Sequence, residues 1–260
     1  MREVTNRAGA VQAGFGRTAG PSGNTAAGCV LPAACFLRRM LKLKRLPALL
    51  LLSAVLALPV KQTAAEPANL SPAKEAVVRY INSGEYGRDL TKVAVSANKY
   101  LVRRLAKPPK EGEKRAVVFD IDETALTNLS HIMAHDFGYV PEVWDKWVAA
   151  GQAKPIVPVQ LIYDHAVRNG VAVFFITGRG PEDATGTERN LRETGYTVWT
   201  GIHYKPVPGM SARQFKTTIR RKLINEGYTI VLNIGDQQSD LVGGLAERTY
   251  KLPNPFYLIR

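Results

Sequence analysis

The chain has 260 residues, enough for one full-sized domain with a buried core, and its 45% apolar and 22% charged composition excludes a disordered body. The formal charge of +13 invites a nucleic-acid partner. Nine of the 35 Lys and Arg but one of the 22 acids fall in residues 1–65, leaving 26 basic against 21 acidic residues and no basic stripe interleaved with aromatics, so no nucleic acid is expected.

Residues 46–60, LPALLLLSAVLALPV, form the one long apolar run. Lys42, Lys44 and Arg45 precede it and Thr63-Ala64-Ala65 follows, the layout of a secretory signal cleaved near Ala65. At about 15 residues the run is shorter than the ~20 that span a bilayer, so the expected product is periplasmic or secreted without a stable membrane anchor; an uncleaved anchor is the competing reading. Met40 opens a signal of ordinary length over 40–65. Residues 1–39 lack helical or strand periodicity and read as upstream sequence translated in error. Both cysteines, Cys29 and Cys35, lie there, so residues 66–260 have neither thiol chemistry nor a Cys-based zinc site.

Ser71-Pro72 reads as a cap and first-turn proline for a helix to about Asn82, and residues 85–106 continue helically. Apolar runs Ala116–Phe119, Val171–Ile176, Val198–Gly201 and Thr229–Ile234 read as buried strands, with helical patterns at 182–194 and 211–226 between them. This alternation predicts an α/β fold, a parallel sheet with helices on both faces. Ligands in such sheets bind beyond the carboxyl ends of the strands. Three of those ends are polar: Asp120 and Asp122 after the first strand, Thr177-Gly178-Arg179 after the second, and Asp236 and Asp240 after the fourth.

A single Asp at a strand end is ordinarily a cap or turn former. Four acids in two such places repel one another and call for a cation, and hard oxygen ligands suit Mg²⁺. Phosphoryl transfer from a monoester needs a nucleophile, groups that hold the equatorial oxygens and a proton donor for the leaving oxygen. Asp120 suits the first role and Asp122 the last, while the Thr177 hydroxyl and the Gly178 N–H can hold a phosphoryl oxygen. A fixed positive charge is still wanted. Lys216 fits, but the residues alone do not separate it from Arg213, Arg220, Arg221 and Lys222.

Val117–Thr124, Ile176–Arg179, Lys216 and Gly235-Asp236-x-x-x-Asp240 together resemble the four motifs of the haloacid dehalogenase (HAD) superfamily. Asp120–Asn128, Val231–Asp240 and the ending Lys251–Tyr257 resemble its branch of class B-type acid phosphatases and plant vegetative storage proteins. That resemblance, over about residues 70–260, implies a Rossmann-like sheet and Mg²⁺ held by Asp120, the main-chain carbonyl of Asp122, and Asp236, with Asp240 nearby. It places Lys216 as the third motif and leaves Arg179 either on substrate or paired with an acid. It implies an Mg²⁺-dependent acid phosphatase working through an aspartyl-phosphate. A narrow nucleotidase or phosphotransferase, or a storage protein that has lost catalysis, are the alternatives. Small phosphomonoesters, nucleotide or aryl phosphates among them, are the expected partners, and a homo-oligomer is allowed.

About fifty residues separate the first two strands, too many for a plain crossover. An insert at about 127–157 is therefore expected over the crevice. Phe137, Tyr139, Trp144, Trp147 and Tyr163 either stack on a leaving group or pack the insert's own core. His131 and His135 read as rim or capping residues rather than a zinc pair.

Overall fold

The computed structural model describes residues 66–206 and 209–259. The proposed upstream extension and signal, residues 1–65, lie outside the described residues. Within the described part no helix is long and apolar enough to cross a membrane.

Helix α1 (Leu70–Asn82) turns into α2 (Glu85–Leu105) through Gly84, which sits at φ +74°. The cap of α1 is Asn69, whose Oδ1 accepts from Ser71 N at 2.9 Å. Ser71-Pro72 therefore lies inside the first turn, and the helix starts two residues earlier than the sequence suggests. Strand β1 (Lys114–Phe119) follows, then β2 (Leu126–Thr127), α3 (Leu129–Ala134), α4 (Pro141–Ala150), β3 (Lys154–Pro155) and α5 (Val157–Arg168). Next come β4 (Ala172–Ile176), α6 (Ala184–Glu193), β5 (Gly201–His203), α7 (Ala212–Asn225), β6 (Tyr228–Gly235), the single turn α8 (Gln238–Leu241) and β7 (Thr249–Lys251).

Five strands form one parallel sheet in the order β5-β4-β1-β6-β7. Side chains alternate across it, as strand geometry requires. Val117, Phe119, Val173 and Phe175 join the core beneath α2 and α5, whereas Ala116, Val118, Phe174 and Ile176 meet Phe215 and Leu223 of α7. Both faces are covered, so the inner strands are apolar throughout. This α/β sheet is the expected fold class.

Two strand expectations need correction. The third strand runs over Gly201–His203 rather than Val198–Gly201. Val198 N is taken by Tyr163 Oη at 2.7 Å and its side chain is exposed, so the chain joins the sheet only from Thr200, whose N donates to Val173 O at 2.7 Å. Strand β7 was not foreseen. Its short Thr-Tyr-Lys stretch has one partly buried apolar residue and is held as an edge by β6.

Between β1 and α5, β2 and β3 pair antiparallel and carry α3 and α4. Helix α4 lies close on α6, where a Cβ at Gly186 would sit 2.5 Å from the Val148 carbonyl. Tyr163 belongs to α5 and packs edge-on against Tyr196, so it serves the central core rather than this segment. His131 stacks on Trp147 with centroids 5.2 Å apart, and Tyr139 is 70% exposed.

An ion-pair network ties α2 to the opening of β1 and the approach to β7. Arg104 reaches Glu113 and Glu247, and Arg115 donates to Glu113 at 2.9 Å. Burial alone would raise the Glu113 carboxyl, but hydrogen bonds from Arg115 and Arg104 hold it down at about 2. A depressed carboxylate stabilises the fold above its ordinary value of 4.5 and loses that contribution as pH falls toward 2. Glu113→Gln is expected to cost about 1–2 kcal/mol in urea unfolding at pH 7, with the gap to wild type narrowing below pH 4.5.

Candidate active site and metal centre

The carboxyl edge of the sheet gathers the polar residues. Asp120 follows β1, Thr177 follows β4 and Asp236 follows β6, while α7 supplies Lys216 and α8 supplies Asp240. One carboxylate oxygen each from Asp120, Asp236 and Asp240 can be chosen so that all lie within 4.8 Å of one another, and all three residues are buried. Lys216 Nζ sits between two of them, 2.5 Å from Asp120 Oδ1 and 2.6 Å from Asp240 Oδ1. Thr124 Oγ1 lies 3.3 Å from both Asp120 Oδ2 and Asp236 Oδ1. Three buried acids against one lysine leave an excess of negative charge. Oxygen donors of this kind fit a hard divalent cation such as Mg²⁺.

Asp122 stands outside this trio. Its carboxylate takes Arg179 Nη2 at 2.7 Å and Nε at 3.1 and 3.2 Å, and Asn128 Nδ2 at 2.9 Å. Arg179 thus pairs with an acid in this structure. Thr187 Oγ1 holds Arg179 Nη1 at 2.9 Å, and Trp144 lies 5.7 Å from the guanidinium. Thr177 is fully buried and its Oγ1 accepts from Arg179 N at 3.0 Å, whereas Gly178 is exposed.

A model of HAD superfamily subfamily IIIB, the acid phosphatases, matches residues 40–260. The chain belongs to that family. Among its relatives are the Stem 28 kDa glycoprotein of Glycine max, 37% identical over 72% of this chain and 74% of that one, and Acid phosphatase 1 of Solanum lycopersicum, 32% identical over 75% and 80%. Vegetative storage protein 1 of Arabidopsis thaliana is 32% identical over 55% of this chain and 54% of its own. The class C acid phosphatase from Bacillus anthracis shares the fold, with a TM-score of 0.61 and 24% identity over 72% of this chain and 85% of that one.

The electrostatics of the subfamily IIIB site follow from burial. Desolvation raises the Asp120 carboxyl well above its usual range in spite of Lys216, and raises Asp236 as well. Burial would lower the Lys216 ammonium, but Asp120 and Asp240 outweigh it and raise it. Asp122 is opposite: burial would raise it, yet the Arg179 charge and hydrogen bonds leave it lowered.

Sequence reasoning assigned no role to several residues that hold this acid phosphatase edge together. Asp236 Oδ2 accepts from Gln237 Nε2 at 2.7 Å and Asn254 Nδ2 at 2.6 Å. Asp240 receives Gln237 N at 2.8 Å on its carboxylate, and Asn233 Nδ2 at 2.9 Å and Arg220 Nη1 on its carbonyl. Glu123 is fully buried at φ +51°, and burial pushes its carboxyl up to about 8. It accepts from Asn128 N at 2.6 Å and Tyr257 Oη at 2.8 Å. A Cβ on Gly235 would collide with Asp240, so that position keeps its glycine for close approach. The available signals were Asp120–Asn128 and Lys251–Tyr257, stretches that carried the family resemblance without showing a task for each residue.

Proposed function

We propose that this chain is an exported, Mg²⁺-dependent acid phosphatase that hydrolyses phosphomonoesters through an aspartyl-phosphate on Asp120. The observation that carries the reading is the buried trio Asp120, Asp236 and Asp240 with Lys216 between two of its members. Asp120, the main-chain carbonyl of Asp122 and Asp236 would hold the cation, with Asp240 beside them. Once bound, Mg²⁺ would offset the carboxylate repulsion and draw charge from the phosphoryl oxygens.

The chain's own groups account for the rest. An Asp120 oxygen attacks phosphorus while the bond to the leaving oxygen breaks, and the departing alkoxide takes a proton from Asp122. Water then attacks the phosphoryl group and gives its proton to Asp122. The bond from phosphorus to Asp120 breaks, which releases phosphate and restores the carboxylate. Lys216 keeps Asp120 oriented and favours its anion, which the bound cation would favour further, and the Thr177 O–H and the Gly178 N–H hold an equatorial oxygen. Arg179 fixes the Asp122 rotamer by its two-toothed contact.

The export part rests on the charged and apolar pattern of residues 40–65, and the family match begins at residue 40, leaving residues 1–39 outside it. A storage role on the same fold is the second reading, favoured by the likeness to Vegetative storage protein 1. The test is turnover of p-nitrophenyl phosphate and a panel of nucleoside monophosphates, with EDTA and after Mg²⁺ is restored. The enzyme reading expects turnover that EDTA removes and Mg²⁺ returns. A folded protein inert toward every phosphomonoester with Mg²⁺ present would favour storage.

A further inference from the structure

After β7 the chain does not leave the molecule but crosses the carboxyl edge of the sheet as a strap. Leu252 N donates to Gly235 O at 2.9 Å, which extends the pairing to the residue before Asp236. Phe256, 7% exposed, packs against Tyr86 and Phe137 with centroids 5.2 and 6.4 Å away. Tyr257 Oη donates to Glu123 Oε2 at 2.8 Å, and Ile259 N donates to Gln237 Oε1 at 3.1 Å.

We propose that Asn254, carried by this strap, is a positioning residue of the metal centre whose side-chain amide presets Asp236 for a divalent cation. The inference rests on the cation reading above. Asn254 Oδ1 accepts from Phe256 N at 2.8 Å and Tyr257 N at 3.4 Å, so the oxygen is committed to the strap and the NH₂ faces Asp236. Gln237 is fixed in the same manner, its oxygen taken by Ile259 N and its Nε2 turned to Asp236. Two N–H donors therefore saturate Asp236 Oδ2, while Oδ1 faces the Thr124 hydroxyl at 3.3 Å, which it shares with Asp120.

A buried carboxylate beside two others would turn away from them if it were free to rotate. Holding Oδ2 from two sides fixes the carboxylate beside the other two acids, an arrangement that suits a cation and disfavours the empty site. Groups that orient a metal ligand in this way typically change affinity by 10–100-fold when removed.

The test is direct titration of the full-length protein with Mg²⁺ by calorimetry and with Mn²⁺ by EPR, beside the thermal midpoint of the metal-free form. Asn254→Ala removes both the donor and the strap turn. Asn254→Ser retains a hydroxyl that can cap Phe256 N but is too short to reach Asp236, and covers the case in which Ala fails to fold. Both are expected to weaken divalent binding about 10–100-fold. Tyr257→Phe, which keeps the Asn254 contact, is expected to lower the metal-free midpoint and leave the affinity within about twofold. A folded Asn254→Ser protein with wild-type affinity overturns the proposal. A wild-type protein that binds no divalent cation removes the metal centre itself, and both readings fall with it.

Discussion

Asp120→Asn is expected to reduce turnover of any phosphomonoester about ten-thousandfold or more, the scale reached when a covalent nucleophile is removed, while the metal-free protein melts at an equal or higher temperature. The amide nitrogen cannot take up phosphorus in place of the carboxylate, so no covalent intermediate forms. Stability moves the other way because Asp120 is one of three buried acids sharing a single lysine. Burial already disfavours its ionised form. Removing that charge relieves repulsion on Asp236 and Asp240, and Lys216 keeps its 2.6 Å contact with Asp240. Stopped-assay kinetics beside differential scanning calorimetry read both quantities. Turnover near wild type would remove Asp120 from the nucleophile's place. A large drop in the melting temperature would assign the inactivity to unfolding.

The parts of this molecule that were legible in the sequence are those where one physical requirement acts locally. Strands covered on both faces must be apolar throughout, so β1, β4 and β6 stood out as runs, and the acids that end two of them stood out by contrast. The pattern admits Val198 because an apolar residue two positions before Thr200 satisfies it equally, while the hydrogen bond that keeps it off the sheet runs from Val198 N to Tyr163 Oη. Strand β7 and the strap beyond it have little pattern of their own and exist by their partners on β6. Lys216 could have been separated from three of its four neighbours, though not from Arg220. With Arg220 it lies at i, i+4 beside the Phe215, Ile219 and Leu223 stripe that faces the sheet, whereas Arg213, Arg221 and Lys222 are exposed. Asn254 could not. Its contact with Asp236 spans a sequence separation of 18, and no spacing rule connects a strap residue to a strand end.

The second large effect depends on what leaves. Asp122→Asn keeps the side chain's shape and an oxygen for Arg179, but it can neither give a proton to a departing alkoxide nor take one from water. A p-nitrophenolate departs without help, so its first-turnover burst should fall little, even though loss of the base slows the later hydrolysis step for every substrate. An alkyl phosphate such as glycerol phosphate needs protonation as its bond breaks, and its kcat should fall about 100- to 10,000-fold, the range of a lost general acid. The resulting steep dependence of rate on leaving-group acidity is the signature sought across a series of aryl and alkyl phosphates. In the free site Arg179 and Asn128 hold Asp122 on three sides and oppose its protonation. On the proposed mechanism a phosphate dianion drawn to the guanidinium would compete with Asp122 for it and let the carboxyl accept a proton. Equal losses in the first, pre-steady-state release of p-nitrophenol and of the alkyl alcohol would deny Asp122 the acid role, and would leave the Arg179 pair as a purely structural clamp between the β1 and β4 ends.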